Sequence, residues 1–351
     1  MIWLTWRQFR VQALVIAAAV AVLAIFLATT GPGLLHEYHL RPTDFLKRIS
    51  FDHINQYLYY AGQVAVYAAP AVIGAFWGAP LIARELEAGT HRLVWNQSIS
   101  RTRWLATKLA VTGLAGIAVT GLLSLAVTWW ADPIDDAIGG GQTAGPFTLP
   151  RLLPAVFGAR GVVPIGYAAF AVALGVVVGL FTRRSVVAIA ITLTVVIAAQ
   201  ILSPLLLRPH LMTPVVTTVL ITDENMRGLQ MSGPDANPEV MRVEVILAGQ
   251  GNWELSDRTV NSAGVVQNSL PSWMADCAPP PPGVNGGPTK APRAPLAACF
   301  KRLGDEGYRQ RLTYQPADRF WDLQWREFGV FLLLAGALTG LCFWRIRRDL
   351  S

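Results

Sequence analysis

The chain has 351 residues, 53% of them hydrophobic and only 15% charged, and its mean hydropathy is +0.40. Soluble domains carry about 25% charged residues, so this composition excludes intrinsic disorder and collagen-like order and argues against a cytosolic enzyme. A net charge of +7 would suggest a nucleic-acid partner if the chain were soluble; on an apolar chain it needs another origin.

Crossing about 30 Å of hydrocarbon as a helix takes ~20 mostly apolar residues, and six runs qualify. They predict spans at 12–31, 62–83, 108–130, 162–181, 186–206 and 327–345. Core helices of soluble proteins keep a polar stripe, and these runs show none. The opening Met1-Ile-Trp-Leu-Thr-Trp-Arg-Gln-Phe-Arg10 reads as an interfacial amphipathic start followed by a retained anchor. Its apolar continuation is longer than the core of a signal peptide, about 7–15 residues. A seventh uncharged run, Thr259–Ala275, is too rich in Asn, Ser and Gln to span.

Lys and Arg concentrate on the cytoplasmic side of membrane proteins. With the N-terminus inside, the inner segments hold twelve of them (Arg7, Arg10, Arg84, Arg92, Arg101, Arg103, Lys108, Arg183, Arg184, Arg345, Arg347, Arg348), whereas the two short outer loops hold five. The inner segments contain only Glu85, Glu87 and Asp349 as acids, giving +9, and everything outside sums to −2. The basic balance is thus an orientation signal that meets anionic membrane lipids, and no nucleic acid is expected as partner.

Between spans five and six lie about 119 residues, 208–326. Met212–Ile221 is apolar but too short to span, and reads as a strand or as a helix on the outer leaflet. Met241–Leu247 partly alternates and reads as a strand. From Ala278 to Ala298 Pro and Gly dominate, which predicts a polyproline-type loop without a core. Cys277 and Cys299 bracket it on the oxidising side, so a disulfide staple is expected there. The expected fold is therefore an all-α polytopic membrane protein with six transmembrane helices, N-in/C-in, and a larger mixed or irregular extracytoplasmic segment. It divides into 1–207, with an inner loop at 84–108, then 208–326, and then 327–351 with a basic tail.

No ionisable residue stands at the centre of a span, which argues against ion-coupled transport. The chain has no G-x-x-x-x-G-K-[ST] phosphate loop. His36-Glu-Tyr-His39 has a histidine spacing of three rather than four, so no metal site is expected. Asp132, Asp135 and Asp136 form an acidic knot with no basic or metal-ligand companion, and no catalytic residue is assigned. Gln63 and Gln200 are expected to bond between helices, and three G-x-x-x-G pairs (Gly74/Gly78, Gly175/Gly179, Gly336/Gly340) permit close packing.

The inner loop 84–108 is the informative stretch. Span two should continue to Glu87 with Gly89 as its terminator. Thr90 can start a short helix carrying Leu93, Val94 and Trp95, and Ser98 or Ser100 can cap the next span. A short helix exposing Leu, Val and Trp either lies in the interface or docks in a partner's groove. The order Arg84-Glu-Leu-Glu-x-Gly-Thr-x-Arg-Leu93, then Ser100-Arg-x-Arg-Trp-Leu-x-x-Lys108, resembles the coupling region of ABC-2 type transporter permeases. Gln315-Pro-Ala-Asp-Arg-Phe-Trp-x-x-Gln324 before the last span resembles a subgroup from high-GC Gram-positive bacteria.

The resemblance implies a non-catalytic permease subunit in a bacterial plasma membrane, paired with a dimer of a cytosolic ABC ATPase that binds ATP and Mg; this chain itself carries no cofactor. It also implies a second permease, forming a homo- or heterodimer. Glu85, Glu87, Gly89, Thr90, Arg92, Leu93, Val94 and Trp95 would form the coupling surface, joined by Arg183 and Arg184 of the other inner loop. The implied activity is export of an amphipathic or lipophilic substrate. The alternative is a sensor or mechanotransmission subunit with a ligand-binding outer segment and no transport.

Overall fold

The computed structural model describes residues 2–89, 100–232, 239–245, 251–277 and 295–349. The chain forms two compact units, one of Met1–Met212 with Asp318–Ser351 and one of Thr213–Ala317. The helices are α1 (Ile2–Leu40), α2 (His53–Ile73), α3 (Ala79–Glu87), α4 (Arg101–Gly139), α5 (Val163–Thr182), α6 (Ser185–Leu202), α7 (Leu296–Asp305) and α8 (Phe320–Asp349). A π-helical turn, Gly74–Gly78, joins α2 to α3, and a second, Ser203–Leu207, leads from α6 into Arg208–Leu211.

Six stretches among the described residues are long and apolar enough to cross a membrane: Arg10–Leu40, His53–Glu87, Arg101–Gly139, Val163–Thr182, Ser185–Leu211 and Ala317–Arg348. Each coincides with an expected span, and all but the fourth run longer. Their polar ends explain the extra length. Asp52 accepts the Ile54 amide at 2.9 Å to start α2, and Ser100 accepts the Arg103 amide at 3.3 Å to start α4. Gly89, at φ +69°, follows the end of α3 in the left-handed conformation that glycine adopts without steric cost. The expected amphipathic start is not a separate element, because α1 runs unbroken from Ile2.

The first unit is organised around α5, whose small and branched side chains are buried along nearly its whole length. It packs backbone to backbone against the π turn of the second span. A Cβ at Gly175 would stand 2.6 Å from the Gly74 carbonyl oxygen and the Ala79 amide, and one at Gly179 would stand 2.6 Å from the Ala79 carbonyl. Two of the three G-x-x-x-G pairs therefore face each other. Gly336 and Gly340 meet nothing within 4 Å.

Two apolar clusters close the ends of this unit. One joins Leu27 and Leu34 of α1 to Tyr59 of α2, Trp130 and Ile134 of α4, and Phe147 of the connection to α5. The other joins Ile82 of α3, Trp104 of α4, Leu180 of α5 and Ile346 of α8.

The second unit is mixed, as expected. Strands β1 (Val215–Val219), β5 (Arg309–Gln315) and β4 (Trp253–Val260) form one antiparallel sheet in that order, and β2 (Met226–Ser232) pairs with β3 (Glu239–Val245) in another. Met212–Ile221 thus contains a strand, and Met241–Leu247 overlaps β3. Residues 278–294 lie outside the described set, but the expected loop ends early because α7 begins at Leu296. Leu296, Cys299, Phe300 and Leu303 recur at helical spacing, and the last three are buried. The Cys277–Cys299 disulfide, with Cα atoms 6.3 Å apart, joins α7 to the turn Ser272–Cys277. Asp257 ties the two sheets by accepting the Val245 amide at 3.1 Å and a bond from the Gln310 side chain. Burial raises its pKa, against the lowering effect of these two hydrogen bonds.

The backbone contact at α5 yields a direct comparison. Gly175→Val is expected to lower the thermal stability of the detergent-purified chain by several degrees or more, since overpacking of this kind costs about 1–3 kcal/mol or more. Gly336→Ala is expected to change it little. Equal effects of the two would remove α5 from the centre of the packing.

Candidate functional site

Two sets of polar residues stand out, one at each end of the first unit. At the end that gathers Glu85 and Lys108, α3 finishes with two carboxylates two residues apart, so they point to different sides. Glu85 turns inward: Lys108 Nζ donates to it at 2.5 Å and to the Leu81 carbonyl at 3.3 Å, and both side chains are buried. Glu87 is exposed and reaches α6, where it accepts the Ser185 amide at 3.0 Å and the Ser185 hydroxyl at 2.7 Å. A carboxylate there satisfies one of the amide donors that the first turn of α6 cannot pair internally, and it complements the positive end of the helix.

The turn between α5 and α6 consists of Arg183, at φ +53°, and Arg184, extended; both are exposed. The structure thus brings together two segments, both expected on the inner side, that lie about a hundred residues apart in sequence. Of the expected coupling residues, Glu87, Gly89, Arg183 and Arg184 lie at the surface beside one another or on neighbouring turns. Glu85 is placed behind them as a brace to α4. Thr90, Arg92, Leu93, Val94 and Trp95 lie outside the described residues. A small cleft of about 180 Å³ lies alongside, lined by Gln12, Phe76, Trp77, Pro80, Leu81, Arg84 and Glu85.

The other end holds two ion pairs that the sequence reading does not foresee. Arg160 Nε donates to Asp135 at 2.9 Å, with both groups buried. The acidic knot therefore has a basic companion, contrary to expectation, delivered from the far side of the connection between α4 and α5. Arg208 Nε donates to Glu327 Oε2 at 2.7 Å, and Arg208 Nη2 reaches Oε1 at 3.2 Å. The same carboxylate accepts the Tyr167 hydroxyl at 2.9 Å and the Ser203 hydroxyl at 2.7 Å.

The fourth span, through Tyr167, and the fifth, through Ser203 and Arg208, thus converge on one fully buried carboxylate of the sixth. One turn earlier on α8, Gln324 accepts the amides of Val162 and Val163 at 3.0 Å and donates to the Phe157 carbonyl at 3.0 Å. Gln200 donates to the Tyr67 carbonyl at 2.9 Å, the helix-to-helix bond expected of it.

A signal for these residues exists in the sequence. Phe320, Leu323, Gln324, Glu327 and Phe331 recur at core spacing, so Gln324 and Glu327 share the face of the apolar residues around them. The partners Arg160 and Arg208 carry no such mark, because each pairs across a long stretch of chain.

A family model described as ABC-2 membrane transporter related matches residues 17–208, more than half of the chain. The chain belongs to the ABC-2 membrane transporter related family. It is a multi-pass membrane protein of the ABC permease type, and the family implies an ABC ATPase as partner. No curated protein and no solved structure matches the chain. The family match runs from within the first span to Arg208 in the fifth, so the carboxylate that Arg208 meets belongs to the part beyond it. Among the described residues no cluster of three His, Cys, Asp or Glu side chains stands ready for a metal.

The Glu327 centre makes a quantitative prediction. Removing one member of a buried ion pair costs about 3–5 kcal/mol, whereas replacing both by apolar or neutral groups is often close to neutral. Glu327→Ala is therefore expected to lower thermal stability strongly in detergent, and the Arg208→Met, Glu327→Gln double variant is expected to recover much of the loss. Additive losses in the double variant would contradict the pairing.

Proposed function

We propose that the chain is the permease subunit of an ATP-driven exporter, taking force from a cytosolic ABC ATPase through the segment after α3. The observation that carries this reading is the bond from Glu87 to Ser185. It ties the end of the second span to the start of the fifth, while Glu85 and Lys108 tie the second span to the third. A push on residues 90–95 would then reach three spans through two short connections.

In this reading the N- and C-termini are cytoplasmic, as the twelve-to-five bias in Lys and Arg supports. Leu93, Val94 and Trp95 are the apolar contact that enters the ATPase groove; Glu87, Gly89, Thr90, Arg92, Arg183 and Arg184 form its polar surround. ATP and Mg are bound by the partner, and two permease chains face each other across the substrate path. Apolar walls with few charges suit an amphipathic or lipophilic substrate, moved outward across a bacterial plasma membrane.

Replacing Leu93, Val94 and Trp95 together by Asp is expected to abolish stimulated ATP hydrolysis in the co-purified complex while membrane insertion persists. Glu87→Ala is expected to reduce coupling without eliminating binding of the partner. Normal coupled hydrolysis in the triple variant would sink the docking role. Intact coupling without ATP-dependent substrate movement in vesicles would favour the sensor reading over export.

A further inference from the structure

The last helix ends in an arrangement that neither the ion pairs nor the proposed coupling uses. Gly329, Leu333, Gly336, Gly340, Trp344 and Arg347 follow one another at steps of four, three, four, four and three, which places them on one face of α8. Nothing lies within 4 Å of where a Cβ would stand at Gly329, Gly336 or Gly340. Leu333 and Trp344 are exposed.

The stripe leads into a shallow, open groove on α8 itself, formed by Gly340, Phe343, Trp344, Arg347 and Arg348. The Arg348 guanidinium stands 5.4 Å from the centre of the Trp344 ring. Both arginines are exposed, and neither forms an ion pair among the described residues.

Chemistry changes sharply along this groove. From Gly340 to Arg347 the helix rises roughly 10 Å, passing from bare backbone through an indole to two guanidinium groups. That order matches a phospholipid, with hydrocarbon first, the interface at the tryptophan and phosphate at the arginines. A guanidinium offers a planar fork of donors that fits phosphate oxygens.

A second copy of this chain fits the stripe less well. Two chains inserted the same way would cross in parallel at Gly336 and Gly340 and bring four arginines together at one end. A phosphate removes that repulsion. We propose that this groove binds an anionic phospholipid, with an acyl chain along Gly336 and Gly340 and its phosphate held by Arg347 and Arg348. The inference rests on the membrane placement of α8 proposed above and not on coupling to an ATPase.

The test is lipid retention by the full chain, read by native mass spectrometry after delipidation and addition of phosphatidylglycerol or phosphatidylcholine. The wild type is expected to hold phosphatidylglycerol in preference. Arg347→Gln with Arg348→Gln should weaken that retention about tenfold or more, because each juxtamembrane cation contributes substantially to anionic-lipid affinity.

Gly340→Leu, which fills the groove without changing charge, should weaken it as well. The charge-matched pair Arg10→Gln with Arg103→Gln should leave it nearly unchanged. Equal retention of the two lipids by the wild type, or unaltered retention in the double arginine variant, overturns the proposal. So does a Gly340→Leu chain that keeps its lipid but loses dimer, an outcome that would assign the stripe to a contact between copies. ATPase coupling is measured separately, so a failed lipid site leaves the functional reading standing.

Discussion

Hydrocarbon offers a charge no partner, and the architecture of the first unit follows from that constraint. Among the described residues six acidic and basic side chains are buried there, and they come as three pairs: Glu85 with Lys108, Asp135 with Arg160, and Glu327 with Arg208. Each pair joins segments that are distant in sequence, so satisfying the charges also dictates which helices meet. The pairs sit near helix ends, leaving the middle of the unit to apolar and glycine contacts. Within that middle, α5 touches the π turn of the second span at backbone distance, an approach that any side chain larger than hydrogen would block.

This division suggests where the unit is stiff and where it can yield. The Glu327 centre collects two bonds from Arg208 and one each from Tyr167 and Ser203, and Gln324 holds the backbone just before α5. Such a saturated carboxylate leaves little freedom to the spans that meet there. A π turn, by contrast, departs from the regular helical ladder and often marks a functional point. The π turns at Gly74–Gly78 and Ser203–Leu207 both lie in spans that the Glu87–Ser185 bond joins, the first within the second span and the second at the far end of the fifth. In the proposed reading, force enters at that bond and the glycine-lined contact is where the helices slide.

Much of this was legible in the sequence, and the physical reasons are particular. The six spans follow from long apolar runs, and the ends of α3 and α4 from Gly89 and Ser100, since helix termini obey local rules. The strand at β1 and the Cys277–Cys299 pairing were also within reach, one from a short apolar run and the other from two cysteines flanking a loop. What sequence alone does not show is the pairing of distant groups. Asp135 reads as an uncompensated acid until folding returns Arg160 to it. Glu85 reads as a surface residue until Lys108 is seen to turn it inward. Nor does a glycine motif announce its partner: Gly175 and Gly179 pack tightly while Gly336 and Gly340 stay open, on the same pattern of residues.

The central claim is that the end of the second span and the start of the fifth move as one body when the ATPase acts. A disulfide between Glu87→Cys and Ser185→Cys tests it most directly, with coupled ATP hydrolysis and substrate movement compared in oxidised and reduced complexes. The account predicts that both activities survive the cross-link, because it replaces one tie by another. Loss of coupling on oxidation, restored by reductant, would show that the two ends must separate during the cycle and would contradict it.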